Sequence, residues 1–251
     1  MNRLLKPITA LLALGMACAT ASAFAQSLSP LVPADGAAAS TWRFVGFPKS
    51  KADIPATRFE LADVQGERAL KVSTRASYGT WVHDLPKVEP GRLQWRWRLD
   101  QALTGGQGVA DILTKAGDDA ALKVCVMFDH PLDRVPFGQR TLLRIAWGVS
   151  GEDLPAATLC YVWDSVYPAG LQGPNPYTQR VRFLTLQGKG VPLAQWQTET
   201  RDVAADFAKL FADELPAGAA VPKVRAVLIG ADSDNTGAQS VGWVKGIDWL
   251  R

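Results

Sequence analysis

The sequence predicts a mainly β protein: one jelly-roll-like antiparallel β-sandwich with two or so short helices. Three observations lead to it. Short apolar segments recur between Gly, Pro, Asn and Asp turn signals along most of the chain. One of them, LQWRWRL at 93–99, alternates apolar and polar residues with strict period two. No internal repeat and no long Pro/Gly/Ser linker divides the strands into two units.

In chain order, residues 1–25 read as a secretory signal peptide. Arg3 and Lys6 give a positive start, and an apolar run follows from Ile8 to Ala19. That run falls short of the roughly 20 residues that cross a bilayer. Ala23-Phe24-Ala25 then puts small residues where a signal peptidase reads, so cleavage is expected before Gln26. The protein is therefore expected in the periplasm or outside the cell, with no membrane span after leader cleavage. Residues 26–41 are Pro-, Ala-, Gly- and Ser-rich and read as a flexible lead-in, and the sandwich is expected over 42–251.

Within the sandwich, 57–61 and 69–74 flank a Gln65-Gly66 turn and read as a hairpin. Residues 78–85 form a further short strand. In 93–99, Leu93, Trp95, Trp97 and Leu99 share one face, and Gln94, Arg96 and Arg98 share the other. The first face is expected to be core and the second polar surface. LKVCVMF (122–128) and LCYVW (159–163) are apolar on nearly both faces and read as central strands. Between them, 138–147 reads as a short helix ending near Gly148. Residues 181–186 form a strand carrying Arg182. In 202–211, Val203, Phe207, Leu210 and Phe211 recur at helical spacing behind Asp202, a natural cap. Segments 224–229 and 241–250 are the last two strands.

Charge excludes one partner class. The leader holds two basic residues and no acidic ones, so the remainder carries 25 Lys and Arg against 24 Asp and Glu. Nucleic acid calls for a basic face, and a balance of +1 without a polybasic run does not supply one. A monomer is expected. Of three cysteines, Cys18 leaves with the leader, while Cys125 and Cys160 sit in apolar runs. An exported chain pairs such a couple or buries two thiols, and both alternatives stay open.

The sequence lacks GxSxG, HExxH, CxxC and a phosphate-cradling glycine loop. His83 and His130 have no metal-ligand spacing. Carboxylates are more plentiful, with Asp118, Asp119, Asp129, Glu199, Asp202 and Asp206 beside strands or a helix. Two of them across a cleft would serve as acid and base of a polysaccharide hydrolase or lyase. The alternative is turn, cap and salt-bridge duty. Nine tryptophans are many for this length. Trp95, Trp97 and Trp163 read as core, while Trp81, Trp147 and Trp196 are freer to stack on a sugar face.

ADSDNTG (231–237) joins the last two strands. Threaded as an EF-hand it fails, because Trp243 falls where calcium needs a bidentate glutamate. A looser calcium site at Asp232 and Asp234, a direct ligand contact, and a turn whose side chains bond their own backbone all remain open.

Six blocks in order, LQWRWRL, KAGDDAALKVCVMF, LPAATLCYVW, PNPYTQRVRFL, QWQTETRDVAADF and VLIGADSDNTG…VKGIDWL, resemble an exported bacterial family known as domain of unknown function 3047. The resemblance spans roughly residues 42–250. The family pattern has an aromatic residue and an arginine where this chain has Ala120 and Lys123, and often RN at Arg201-Asp202. The resemblance implies an exported β-rich domain without an assigned activity. The closing DSDNT hairpin is similar to the last strands of carbohydrate-binding jelly rolls.

Together these readings favour a non-catalytic binding module for a glycan or other polar ligand, lined by Arg96, Arg98, Asp118, Asp119, Tyr161, Trp163 and Arg201. An arginine fork in such a groove suits a uronic acid. The other readings are the polysaccharide-active enzyme and an envelope protein-interaction domain.

Overall fold

The structure is a computed structural model that describes residues 28–32, 41–47, 53–150 and 155–250, with backbone alone over 146–150. The expected leader lies outside the described residues, and so does the side chain of Trp147. Among the described residues, twelve strands run β1 Trp42–Val45, β2 Arg58–Val64, β3 Glu67–Arg75, β4 Tyr78–Val88, β5 Arg92–Thr104, β6 Ala120–Phe128, β7 Ala157–Trp163, β8 Gln172–Asn175, β9 Thr178–Gln187, β10 Gln197–Asp202, β11 Val224–Asp232 and β12 Gln239–Leu250. Helix α1 (Phe137–Ser150) stands between β6 and β7, and α2 (Val203–Leu210) follows β10.

The strands form two sheets, one of seven in the order β1-β4-β11-β6-β7-β9-β8 and one of five in the order β10-β5-β12-β3-β2. From β3 to β6 each successive strand changes sheet, and β11 and β12 return between earlier strands, which is a jelly-roll course. The pairing is antiparallel except where β7 runs parallel to β9. The polar strand β8 takes the outer edge and leaves β9 to lie against β7.

The two sheets close over one apolar core. Trp95 and Trp97 are wholly buried on the inner face of β5. Trp95 meets Tyr161 at a centroid distance of 5.2 Å, and Trp97 meets Trp163 edge-on at 5.5 Å. Buried aromatic pairs of this kind contribute about 0.5–1.5 kcal/mol beyond the area they remove from water. A second apolar cluster covers the other face of the seven-stranded sheet, where Val82, Cys125, Cys160, Val162, Phe183 and Leu228 pack under Ile112 and Tyr167. Strands β6 and β7 are thus buried on both sides, which is why their sequences are apolar throughout.

Three local expectations change. The stretch read as a flexible lead-in is docked over 28–32: Leu28 and Leu31 are buried in the core, and the Trp42 indole donates to the Ser29 carbonyl at 2.9 Å. Helix α1 continues past Gly148 to Ser150. Strands β1, β8 and β10 carry no period-two signature and emerge only as sheet edges. Helix α2 begins where its cap predicts, with Asp202 accepting from the Ala205 N–H at 3.0 Å.

Cys125 and Cys160 face each other across β6 and β7, with Cα atoms 4.0 Å apart, and form a disulfide. Beyond the Phe128–Ala157 end of these strands Glu214 is buried among cations. It accepts from Arg180 and from Arg182 (2.9 Å) and lies 3.1 Å from His130 Nε2. Burial by itself would raise its carboxyl, but the hydrogen bonds from Arg180 and His130 and the charges of Arg180 and Arg182 hold it down at about 2.

Reducing the disulfide opens a loop of sequence separation 35. This is expected to lower stability by about 3–4 kcal/mol, measured as a shift of the urea midpoint with and without reductant. Glu214→Gln is expected to cost about 3–5 kcal/mol, because it leaves buried guanidinium groups without their anion. The wild-type contribution is present above the unfolded glutamate range and disappears as pH falls from 4.5 toward 2, so acid unfolding curves of the two proteins converge there.

Candidate functional site

Period two on β5 dictates the site. With Trp95 and Trp97 turned inward, Arg96 and Arg98 are turned to the outer face of the five-stranded sheet. Register then sets their neighbours. Arg98 pairs with Trp243 of β12, and Trp243 with Lys71 of β3. Gln197 pairs with Trp97, which puts Trp196 beside Arg98 on the other flank. A cross-strand row Trp196–Arg98–Trp243–Lys71 results. The next row places Thr198 beside Arg96, and Arg96 beside Lys245.

Cations stack on the indoles of these rows. Arg96 lies 5.4 Å and Lys245 4.7 Å from the Trp196 ring centre, and Lys71 lies 5.7 Å from that of Trp243. Two carboxylates knit the face together. Glu67 bonds Lys245 and lies 3.4 Å from Arg96. Asp100 accepts from Arg98 Nε at 2.5 Å and from the Trp243 indole N–H at 2.8 Å. Two donors are left over: Arg98 Nη1 and Trp196 Nε1 are buried without a hydrogen-bond partner among the described residues. Neither guanidinium nor indole can accept, so each of these N–H groups calls for an acceptor.

The remaining expected site residues lie elsewhere, because their strands carry them to other places. Tyr161 and Trp163 are inside the sandwich, and the Tyr161 hydroxyl donates to Asp206 of α2 at 2.9 Å. Arg201 closes that end with two hydrogen bonds to Asp206, of 2.9 and 2.6 Å. Burial and the Asp206 carboxylate raise the Tyr161 phenol well above its ordinary value. The expected single groove containing all seven residues is therefore corrected to three places. Arg96 and Arg98 sit on the outer face, Tyr161, Trp163 and Arg201 in and beside the core, and Asp118 and Asp119 at the closing hairpin.

At that hairpin, Asp119 accepts from the Asn235 and Thr236 N–H groups at 3.1 and 2.9 Å and from the Thr236 hydroxyl. Gln107 N–H donates to the Thr236 carbonyl at 2.7 Å across Gly106, where a Cβ would stand 2.5 Å from that oxygen. Asp232 accepts from the Ala120 N–H at 2.9 Å and from the Lys123 ammonium at 2.7 Å. Burial opposes the charge on Lys123, but the Asp232 carboxylate prevails and holds the ammonium protonated. Of the readings left open for this loop, a calcium ion at Asp232 and Asp234 would have to displace the ammonium that sits on Asp232. Among the described residues, no group of three or more His, Cys, Asp or Glu is placed to hold a metal ion. The other carboxylates singled out in the sequence are also bonded. Glu199 accepts from the Trp97 indole and Gln187, Asp202 caps α2, and Asp206 pairs with Arg201.

Trp243, Lys245 and Lys71 were not anticipated. A signal was present in VGWVKG, where Trp243 and Lys245 alternate with Val244, which lies in the core. It is weak because Gly242 and Gly246 interrupt the pattern.

Residues 40–248 match the model of a family described as "Protein of unknown function (DUF3047)". No curated protein matches the chain. Among solved structures, one described as "Carbohydrate binding module family29" is similar at 9% identity and a TM-score of 0.33, covering 89% of this chain and 88% of its own. A family 28 module described as specific for non-crystalline cellulose is similar at 11% identity and a TM-score of 0.35, covering 84% and 87%. TM-scores this low carry no conclusion about fold or ligand, and the sandwich stands on its own strand pairings.

Burial pushes the carboxyls of Asp118 and Asp234 up from 3.8 to about 6, against the hydrogen bond that Asn175 gives Asp118 and with the help of the Asp232 charge at Asp234. The folded chain then holds these protons to higher pH than the unfolded chain does. Stability therefore falls as pH rises from about 4 through 6. Asp118→Asn is expected to flatten that fall while keeping the Asn175 bond. Melting temperatures across this window check it; an unchanged pH slope would refute the assignment.

Proposed function

The chain belongs to the DUF3047 family, and from that premise we propose that it is an exported, non-catalytic binding module for an acidic glycan, held on the outer face of the five-stranded sheet. One observation carries the proposal. Arg98 Nη1 and Trp196 Nε1 are neighbouring donors without acceptors, set between two indoles and four cations. A uronate matches these groups. Its carboxylate accepts from the guanidinium and indole N–H, its hydroxyls bond the Lys and Asp rim, and its apolar ring face lies against an indole edge. A neutral sugar would fill the donors with hydroxyls but leave four cations, Arg96, Arg98, Lys71 and Lys245, against three carboxylates, Glu67, Asp100 and Glu60, the last opposite Lys71. The non-catalytic reading is supported by the bonding of Glu199, Asp202 and Asp206, none of which is left facing a cleft as acid or base. Export rests on the leader pattern in residues 1–25.

Calorimetric titration with oligogalacturonate and oligoglucuronate, beside neutral gluco- and xylo-oligosaccharides, tests the reading. Binding of the acidic series without product release is expected. Trp196→Ala and Lys71→Ala should each weaken it by about tenfold, or about 1.4 kcal/mol, with melting temperatures near that of the wild type. Failure of every glycan to bind would end the proposal, and equal binding of the neutral series would remove its charge component.

A further inference from the structure

We propose that α1 is a membrane-contact helix that lies on an anionic bilayer surface, a function separate from the glycan face. Among its described side chains, Leu143 is buried and packs with Val135, Leu132 and Ala156. Its outward side is apolar instead of polar. Phe137 is 80%, Leu142 67% and Ile145 58% exposed. At about 100° per residue these three side chains share one arc of the helix, with Leu143 roughly opposite. A surface helix of a globular domain ordinarily shows water the reverse pattern.

Charge indicates what covers this ridge. The helix FGQRTLLRIAWGVS holds two arginines and no acid. Arg140 donates only to the backbone carbonyls of Asp133 and Val135, so no carboxylate neutralises it. Arg144 is exposed beside Phe137 on the helical wheel and makes no ion pair among the described residues. Apolar side chains flanked by unneutralised arginines complement a bilayer whose headgroups are anionic. The rings and branched chains enter the interface, and the guanidinium groups reach back to phosphates. The helix is also held with this side outward, because Gln139 on its inner flank accepts from Arg180 Nε at 2.9 Å. At 14 residues it spans about 21 Å, too short to cross a hydrocarbon core of about 30 Å, so it lies along the surface.

The test uses the full chain with vesicles of phosphatidylcholine alone and of phosphatidylcholine with one third phosphatidylglycerol. The readout is hydrogen exchange of the 137–145 amides, which reports on the helix irrespective of what the leader does. Slowed exchange with the anionic vesicles only, abolished by high salt, is the expected result. Phe137→Ser with Leu142→Ser should weaken that protection by about tenfold or more, and Arg144→Gln should weaken it while leaving the melting temperature unchanged. Both sites are exposed, so the melting curve is expected to stay unaltered. Equal protection by both vesicle types overturns the anionic requirement. Protection by neither overturns the proposal and leaves the ridge to a protein partner.

Discussion

Four rings govern this sandwich. Trp95 and Trp97 of β5 reach across the core to Tyr161 and Trp163 of β7, and all four are essentially without solvent exposure. Burial of that much aromatic surface sets the spacing of the sheets and the phase of both strands. Period two leaves no choice for the intervening residues, so Arg96 and Arg98 turn to the outer face because Trp95 and Trp97 do not. The surface chemistry proposed for glycan recognition is in this sense a consequence of the core.

The seven-stranded sheet answers a different demand. Its middle strands are covered on one side by the core and on the other by a second apolar cluster, so a side chain on β6 or β7 has no wet face to occupy. The disulfide between Cys125 and Cys160 lies on the side away from the sandwich core. Polar groups at the ends of these strands need compensation. Glu214 receives it from Arg180, Arg182 and His130, and Asp232 from Lys123. The first cluster also places α1, through Arg180 and Gln139, and thereby decides which side of that helix meets the surroundings.

Polar side chains in this chain divide into satisfied and unsatisfied sets. The closing hairpin belongs to the first, since Asp119, Asp232, Asn235 and Thr236 are bonded to one another's segments or to backbone. An acid-rich motif is here the mortar between the 105–119 loop and the turn. The outer sheet face belongs to the second set, with donors left over beside indoles. A buried donor without an acceptor costs about 1–3 kcal/mol, a cost that a ligand bearing acceptors relieves.

The sequence by itself determined the sandwich class, the core phase of β5, the double burial of β6 and β7, the Asp202 cap and the membership of six ordered blocks in one family. The first four rest on local patterning or turn chemistry, which is written in consecutive residues, and the last on resemblance to a known family. It did not reveal β1, β8 and β10, because these short edge strands are held by ladder hydrogen bonds on one side and carry no sustained apolar alternation. It named Arg96, Arg98 and Trp196 but could not join them to Trp243, Lys71 and Lys245, which come from strands distant in the chain. It also grouped Asp118, Asp119, Tyr161 and Arg201 with them, although the fold sends these elsewhere. Only tertiary structure decides such company, because cross-strand register is set by the global burial of apolar faces and by no short stretch of sequence.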